Sequence, residues 1–389
     1  MLLVNTHSRW RQRLAGVALA ALASLPLHAL AQPVATREPA PEPERIASLR
    51  WIGSFSLPTD TFFDRTEFGG ISGLDRAPDG TYWALSDVRE TPRLYALRIE
   101  LDQRGLHAVH IEQMVKLLDT DGQPLAARTA DPEAIRLTAA GQLLIASEGQ
   151  WSADAARRHP PFVREFHTDG RWVRSFELPK AFDYADNRTT GARNNKVFES
   201  LAITPSGVVF VANEEALIDD GPVATPEAGS WLRVIKLDPL SGTPMTQHAY
   251  ALPPIPLRRP PGEGRADLSR ADNGLTELLA LSEDSFIAVE RAYVPGEGVT
   301  VRLVLTRIEA ATTDVSQIKS LPGAAFQPMS RELLLELPMP LNSLQIDNIE
   351  AIAWGPVLAN GNRSLILVSD NNFSRLQTTQ FVALEVVPP

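Results

Sequence analysis

Residues 348–370 read NIEAIAWGPVLANGNRSLILVSD: two apolar runs around a turn-rich segment, with one carboxylate, Glu350, opening the first run and another, Asp370, closing the second. The pattern is that of a buried β-hairpin. Much the same phrase occurs four more times, as GGISGLDRAPDGTYWALSD (69–87), DPEAIRLTAAGQLLIASE (131–148), VFESLAITPSGVVFVANE (197–214) and GLTELLALSEDSFIAVE (274–290). It restarts at Ser72, Glu133, Glu199, Glu277 and Glu350, at intervals of 61, 66, 78 and 73 residues. Periods of that size built from short strands point to a propeller or array rather than to two unrelated domains.

The segments that follow each hairpin extend the unit. RLYALRIE, FVREFHTDGRWVRSFELP, WLRVIKLDPL, VRLVLTRIEA and QFVALEVVP alternate apolar and polar residues, as half-buried antiparallel strands do. Three or four strands per repeat is the size of a propeller blade. The last unit stops at FVALEVV without a fourth strand, while LRWIGSFSLP (49–58) precedes the first unit as an orphan. An N-terminal strand laid on the last blade would close the ring and remove a free edge. The fold class expected is all-β, a β-propeller of five blades closed in this way; a degenerate sixth would have to hide in a long spacer. Residues 49–389 then form one domain.

Ahead of that domain, Arg9, Arg11 and Arg13 precede the apolar run LAGVALAALASLPL, and Ala29 and Ala31 occupy the small-residue positions of a cleavage site. Residues 1–31 read as a secretory signal peptide. The run is too short for a membrane span and contains Pro26. The protein is expected in the periplasm or secreted, with no stable membrane insertion after cleavage. Residues 32–48 read as a proline-rich flexible lead-in. Cleavage after Ala31 removes three arginines and no acid, moving the net charge from −10 to −13. That charge argues against nucleic acid or anionic lipid as a partner and leaves a small-molecule substrate on a monomeric protein. With no cysteine, the chain has neither a disulfide nor a thiol nucleophile.

In a propeller the first strand of each blade lines the central channel and the second runs antiparallel to it. The start of strand one and the end of strand two therefore share one end of the hairpin. This reading brings nine carboxylates, Asp87, Glu133, Glu148, Glu199, Glu214, Glu277, Glu290, Glu350 and Asp370, to one channel mouth, with Ser72 as the odd member. Crowded carboxylates must be protonated, paired with cations or bound to a metal. Arg89, Arg136 and Arg291 stand close in sequence as counter-charges. Carboxylates supplemented by Asn213, Asn348 and Asn371 form a hard-oxygen set suited to calcium, or to magnesium, rather than zinc. His107 and His110 in HAVH fall on opposite faces of a strand. Glu199, Glu277, Glu350 and Asp370 are the expected metal ligands, Glu214 or Glu290 the base, and Arg291 the anion contact. Repeated acids in propellers also serve as plain ties between strands or blades. A nucleophile elbow is excluded, because Gly70 and Gly73 around Ser72 do not have the required spacing. The proline-rich, locally basic stretch 253–270 reads as an inserted surface loop that could act as a lid.

The phrases FGGISGLDRAPDGTYWALSD, DPEAIRL, LIASEG, FESLAITPSG, VANE, LTELLAL, AVER, NIEAI and VSDNNFS, in this order from about Phe68 to Glu385, resemble the phytase-like family, also named for the esterase-like activity of phytase. The resemblance implies an exported bacterial protein whose recurring Glu and Asp residues are the active groups: here Asp87, Glu133, Glu148, Glu199, Glu214, Glu277, Glu290, Glu350 and Asp370. It implies hydrolysis of a phosphoester or ester, although the chain lacks the Lys and Arg cluster a highly phosphorylated inositol would need. Two alternatives stand beside a cation-dependent hydrolase: a non-catalytic binding propeller with a structural calcium ion, and a lactonase-like calcium enzyme.

Overall fold

The computed structural model describes residues 46–258, 268–338 and 345–389. The leader, most of the lead-in and residues 259–267 of the proline-rich loop lie outside them. Five four-stranded antiparallel sheets follow one another along the chain. Blade 1 comprises Ile71–Arg76, Tyr82–Ser86, Arg93–Asp102 and Gly105–Lys116. Blade 2 comprises Pro132–Leu137, Leu143–Ser147, Phe162–Phe166 and Trp172–Ser175. Blade 3 comprises Phe198–Ile203, Val209–Asn213, Ser230–Leu237 and Pro244–Leu252; blade 4 comprises Asp272–Ala280, Ser285–Val294, Gly298–Arg307 and Ser330–Leu337. Blade 5 comprises Asn348–Trp354, Ser364–Asp370 and Thr378–Val387, completed by Ser48–Pro58.

The first strands touch in the cyclic order of blades 1, 2, 3, 4, 5 and back to 1, so the sheets form a closed five-bladed propeller. The first two strands of most blades are buried on both faces, which is why they read as continuous apolar runs rather than as alternation. The outer strands Gly105–Lys116 and Ser330–Leu337 carry the exposed residues. Each pair of neighbouring blades shares a hydrophobic core. Phe68, Leu74 and Tyr95 of the first unit, for example, pack with Ala351, Ile366 and Phe381 of blade 5.

Ser48–Pro58 pairs antiparallel with Thr378–Val387 from Ser48 opposite Val387 to Pro58 opposite Thr378. It supplies the missing strand, and Leu49 enters the core between blades 4 and 5. The first hairpin of every blade carries one unpaired residue near its start. Register skips Ser72, Glu133, Glu199, Thr276 and Glu350 in turn. A β-bulge of this kind re-aims a side chain at a sheet end. Among the described residues no helix is long and apolar enough to cross a membrane.

Candidate functional site at the acidic mouth

The bulges define the site. In blades 2, 3 and 5 the unpaired residue is Glu133, Glu199 or Glu350, and each lines one cavity of about 520 Å³ at the channel mouth. On strand two, the residue that follows the partner of the last pair before the bulge stands beside it: Asp87 after Ser86, Glu148 after Ser147, Glu214 after Asn213, Arg291 after Glu290 and Asp370 after Ser369. Glycine makes room for two of these acids. A Cβ on Gly274 would lie 2.5 Å from Glu214 Cγ, and one on Gly70, whose φ is +61°, would overlap the Asp87 carboxylate.

One side of the cavity is partly neutralised. Arg291 donates from Nη1 to Asp272 at 3.0 Å, and from Nη2 to Glu214 at 3.2 Å and Glu350 at 3.4 Å. Lys196 Nζ lies 2.9 Å from Glu214 and 3.4 Å from Glu215. Glu350 also accepts from Asn348 Nδ2 at 2.9 Å and from the Ser72 hydroxyl at 3.3 Å. Asp370 accepts from the Asn372 amide at 2.7 Å. Arg89 is spent on Asp131, with Nε 2.6 Å from Oδ1, and on Asn195.

The other side is not neutralised. Among the described residues Glu133, Glu148 and Glu199 have no ion pair, and Glu148, fully buried, accepts only from the Val197 amide at 2.6 Å. Its Oε2 is buried without a donor, as is Asp87 Oδ1. One carboxylate oxygen each of Glu148, Glu199 and Glu214 lie within 4.8 Å of one another, as do those of Asp131, Glu133 and Glu148. Burial, then the negative neighbours, push Glu133, Glu148 and Glu199 well above the usual carboxylate range. Burial and Asp370 raise Glu350 to about 8, and burial raises Asp370 to about 6. A set of crowded, desolvated carboxylate oxygens either holds protons or holds a hard cation.

The family model described as "Phytase-like: Esterase-like activity of phytase" matches residues 66–373. This chain belongs to that family. No curated protein matches the phytase-like chain. Among solved structures it is similar to the PQQ-bound aldose sugar dehydrogenase of Streptomyces coelicolor, at 14% identity over 86% of this chain and 99% of that one, with a TM-score of 0.34. It is also similar to a streptogramin B lyase, at 10% identity over 86% and 99% of the two chains, with a TM-score of 0.34. A protein from Lactobacillus plantarum gives 11% identity over 84% and 89%, with a TM-score of 0.35. Nothing about the chemistry of the phytase-like chain follows from likenesses this distant.

The mouth gathers seven of the nine expected carboxylates. Glu277 is a correction: the bulge of blade 4 falls on Thr276, so Glu277 sits one residue further along and points elsewhere. It is fully buried, 2.9 Å from Arg136, and accepts from the amides of Leu201 and Leu278. Arg136, expected beside Glu133, is thereby drawn away from the mouth. Glu290 is the second correction. It pairs in register with Leu275 and is held by the Tyr250 hydroxyl at 2.6 Å and by Arg331. Arg291 takes the position that an acid fills in the other blades.

Asn213 and Asn371 are buried ties rather than cavity groups. Asn213 accepts from the Arg233 amide, and Asn371 accepts from the amides of Gly70 and Phe373. Asn348 does line the cavity, with Arg89. His107 and His110 bond Asp102 and Glu100 on the exposed outer hairpin of blade 1. Sequence reasoning missed Asp131, Lys196 and Asp272, which come from the connections between blades and the approach to blade 4, where the repeated phrase gives no alignment. Only the DP of DPEAIRL marked the first of them.

Proposed function

We propose that this phytase-like propeller is an exported, periplasmic or secreted hydrolase of phosphoesters or esters that works with a divalent cation, calcium or magnesium, at its acidic mouth. The observation that carries the reading is the group Glu133, Glu148 and Glu199: three carboxylates without an ion pair, one of them fully buried with an unpartnered oxygen. The donor set fits a hard cation, being all carboxylate oxygen. Glu148, Glu199 and Glu214 would hold it. Calcium or magnesium, when bound, polarises a substrate oxygen and lowers the pKa of water.

The chain's own residues supply the rest. Lys196 and Arg291 hold Glu214 from two sides, at 2.9 Å and 3.2 Å. Glu350 and Asp370 stand on another wall of the cavity, raised to about 8 and about 6, so near neutral pH the pair holds one proton between them. Such a pair can take a proton from water and return one to a leaving oxygen. Arg270 lines the same cavity and offers positive charge to an anionic substrate.

A panel of phosphomonoester, phosphodiester and carboxylester substrates, assayed on the purified chain with and without chelator, tests the reading. Hydrolysis abolished by chelation supports it. One observation favours a binding propeller instead: two cations of the cavity, buried Arg291 and half-buried Lys196, are already engaged by carboxylates, which suits a cationic ligand. A tightly held cation with no turnover across the panel would select that alternative.

A further inference from the structure

We infer that the acidic mouth binds two divalent cations, with Glu148 as the carboxylate shared between them. The inference rests on the cation of the reading above, but not on hydrolysis. The ligating oxygens fall into two triads, Asp131–Glu133–Glu148 and Glu148–Glu199–Glu214, each gathered within 4.8 Å, and Glu148 alone belongs to both. Its place in the fold explains this. Glu148 follows Ser147, whose partner Pro132 immediately precedes the bulged Glu133, while its Oε1 reaches into blade 3 and accepts from Val197, two residues before the bulged Glu199. The side chain is thus clamped between the two neighbouring bulges.

Glu148 is fully buried, and its second oxygen has no donor. A carboxylate oxygen in that state is costly, and the fold gains nothing from it that a neutral side chain would not provide. The counter-charges point to two ions rather than one. Arg89 neutralises Asp131 at one end, and Lys196 with Arg291 neutralises Glu214 at the other. Each triad therefore contains one acid already paired and, besides the shared and unpaired Glu148, one more that is not, Glu133 or Glu199. A single ion centred on either triad would leave the unpaired acid of the other without a cation; two ions on either side of Glu148 serve both.

The test titrates the metal-free full chain with Mn²⁺ alone and counts bound ions by electron paramagnetic resonance. Two ions per chain with an exchange-coupled spectrum at saturation are expected. Glu148→Gln should lose tight binding of both ions and the coupling with it, whereas Glu133→Gln and Glu199→Gln should each retain one uncoupled ion. Circular dichroism confirms that each variant folds. Should Glu148→Gln fail to fold, Glu148→Asp, which keeps a shorter carboxylate, is expected to bind both ions with altered coupling. One ion per chain in the natural sequence, or two coupled ions in Glu148→Gln, would overturn the shared site. Hydrolysis is read separately. Two coupled ions without turnover keep the pair and remove the hydrolase; chelator-sensitive turnover with one ion keeps the hydrolase and removes the pair.

Discussion

Blades 3 and 4 carry nearly the same phrase, FESLAI at 198–203 and LTELLA at 275–280, and put their glutamates to opposite uses. In blade 3 the bulge falls on Glu199, whose carboxylate faces the cavity with no hydrogen bond or ion pair among the described residues. In blade 4 it falls on Thr276, and Glu277, one residue later, is sealed inside with Arg136. Arg136 also donates to the carbonyls of Leu74 and Leu278, while Glu277 accepts from Leu201, so this one pair links blades 1 to 4 around the axis. A single-residue difference in register decides whether a carboxylate is a strut or a ligand candidate. Burial raises Glu277 to about 8, but its nearest charge is the cation Arg136, whereas the acids of the mouth face like charges.

The contrast can be broken most forcefully at the strut. Glu277→Ala strands a buried guanidinium and is expected to cost about 3–5 kcal/mol, measured by chemical denaturation in chelator. A loss no greater than that of a surface substitution would show that the pair does not hold the blades. At the mouth, an ion that binds only the folded chain stabilises it by about 2.7 kcal/mol at a hundredfold excess over its dissociation constant. Calcium should raise the Tm accordingly, and no shift at any concentration would argue against the cation.

The metal-free mouth should also respond to pH. Glu350, raised to about 8 by burial and Asp370, keeps its proton in the folded chain after the unfolded chain has lost it above about 4.5. The folded state then binds more protons, so stability falls as pH rises between about 5 and 8, by up to ~1.4 kcal/mol per pH unit for this group, and levels off above. Denaturation midpoints in chelator that rose over this window would contradict the crowding. The smallest effect belongs to Glu199→Gln without metal. It replaces a carboxyl that burial and crowding push well above its usual range, and removes no partner, so stability should change by less than ~1 kcal/mol, in the favourable direction if at all.

The fold was legible because inner hairpins buried on both faces print as apolar runs with turn glycines; Gly80, Gly141, Gly207 and Gly361 all adopt positive φ in those turns. The orphan strand at one end and the absent strand at the other gave ring closure. Most of the mouth was legible from the same phrase. Blade 4 was not, because matching glutamate to glutamate overrode spacing: Ser72 to Asp87, Glu133 to Glu148 and Glu199 to Glu214 are each 15 residues, and so is Thr276 to Arg291, whereas Glu277 to Glu290 is 13. In four of the five blades that interval, and not the letter, marks the register; blade 5, with its longer turn, spans 20 from Glu350 to Asp370. Asp131 and Lys196 lie beyond that logic, since loops between blades bring them in and no strand periodicity constrains loops, while Asp272 opens its strand four residues before the bulge at Thr276, ahead of the repeated phrase.

The central claim is that register, not residue type, selects the cation ligands, and one measurement meets it directly: the calcium-induced shift in Tm of the natural chain, Glu199→Gln and Glu277→Gln, side by side. Glu277→Gln should melt lower at the outset yet keep the full shift, while Glu199→Gln should start near the natural Tm and lose the part of it that comes from the ion held by Glu148, Glu199 and Glu214. A full shift in Glu199→Gln together with none in a folded Glu277→Gln would contradict the account.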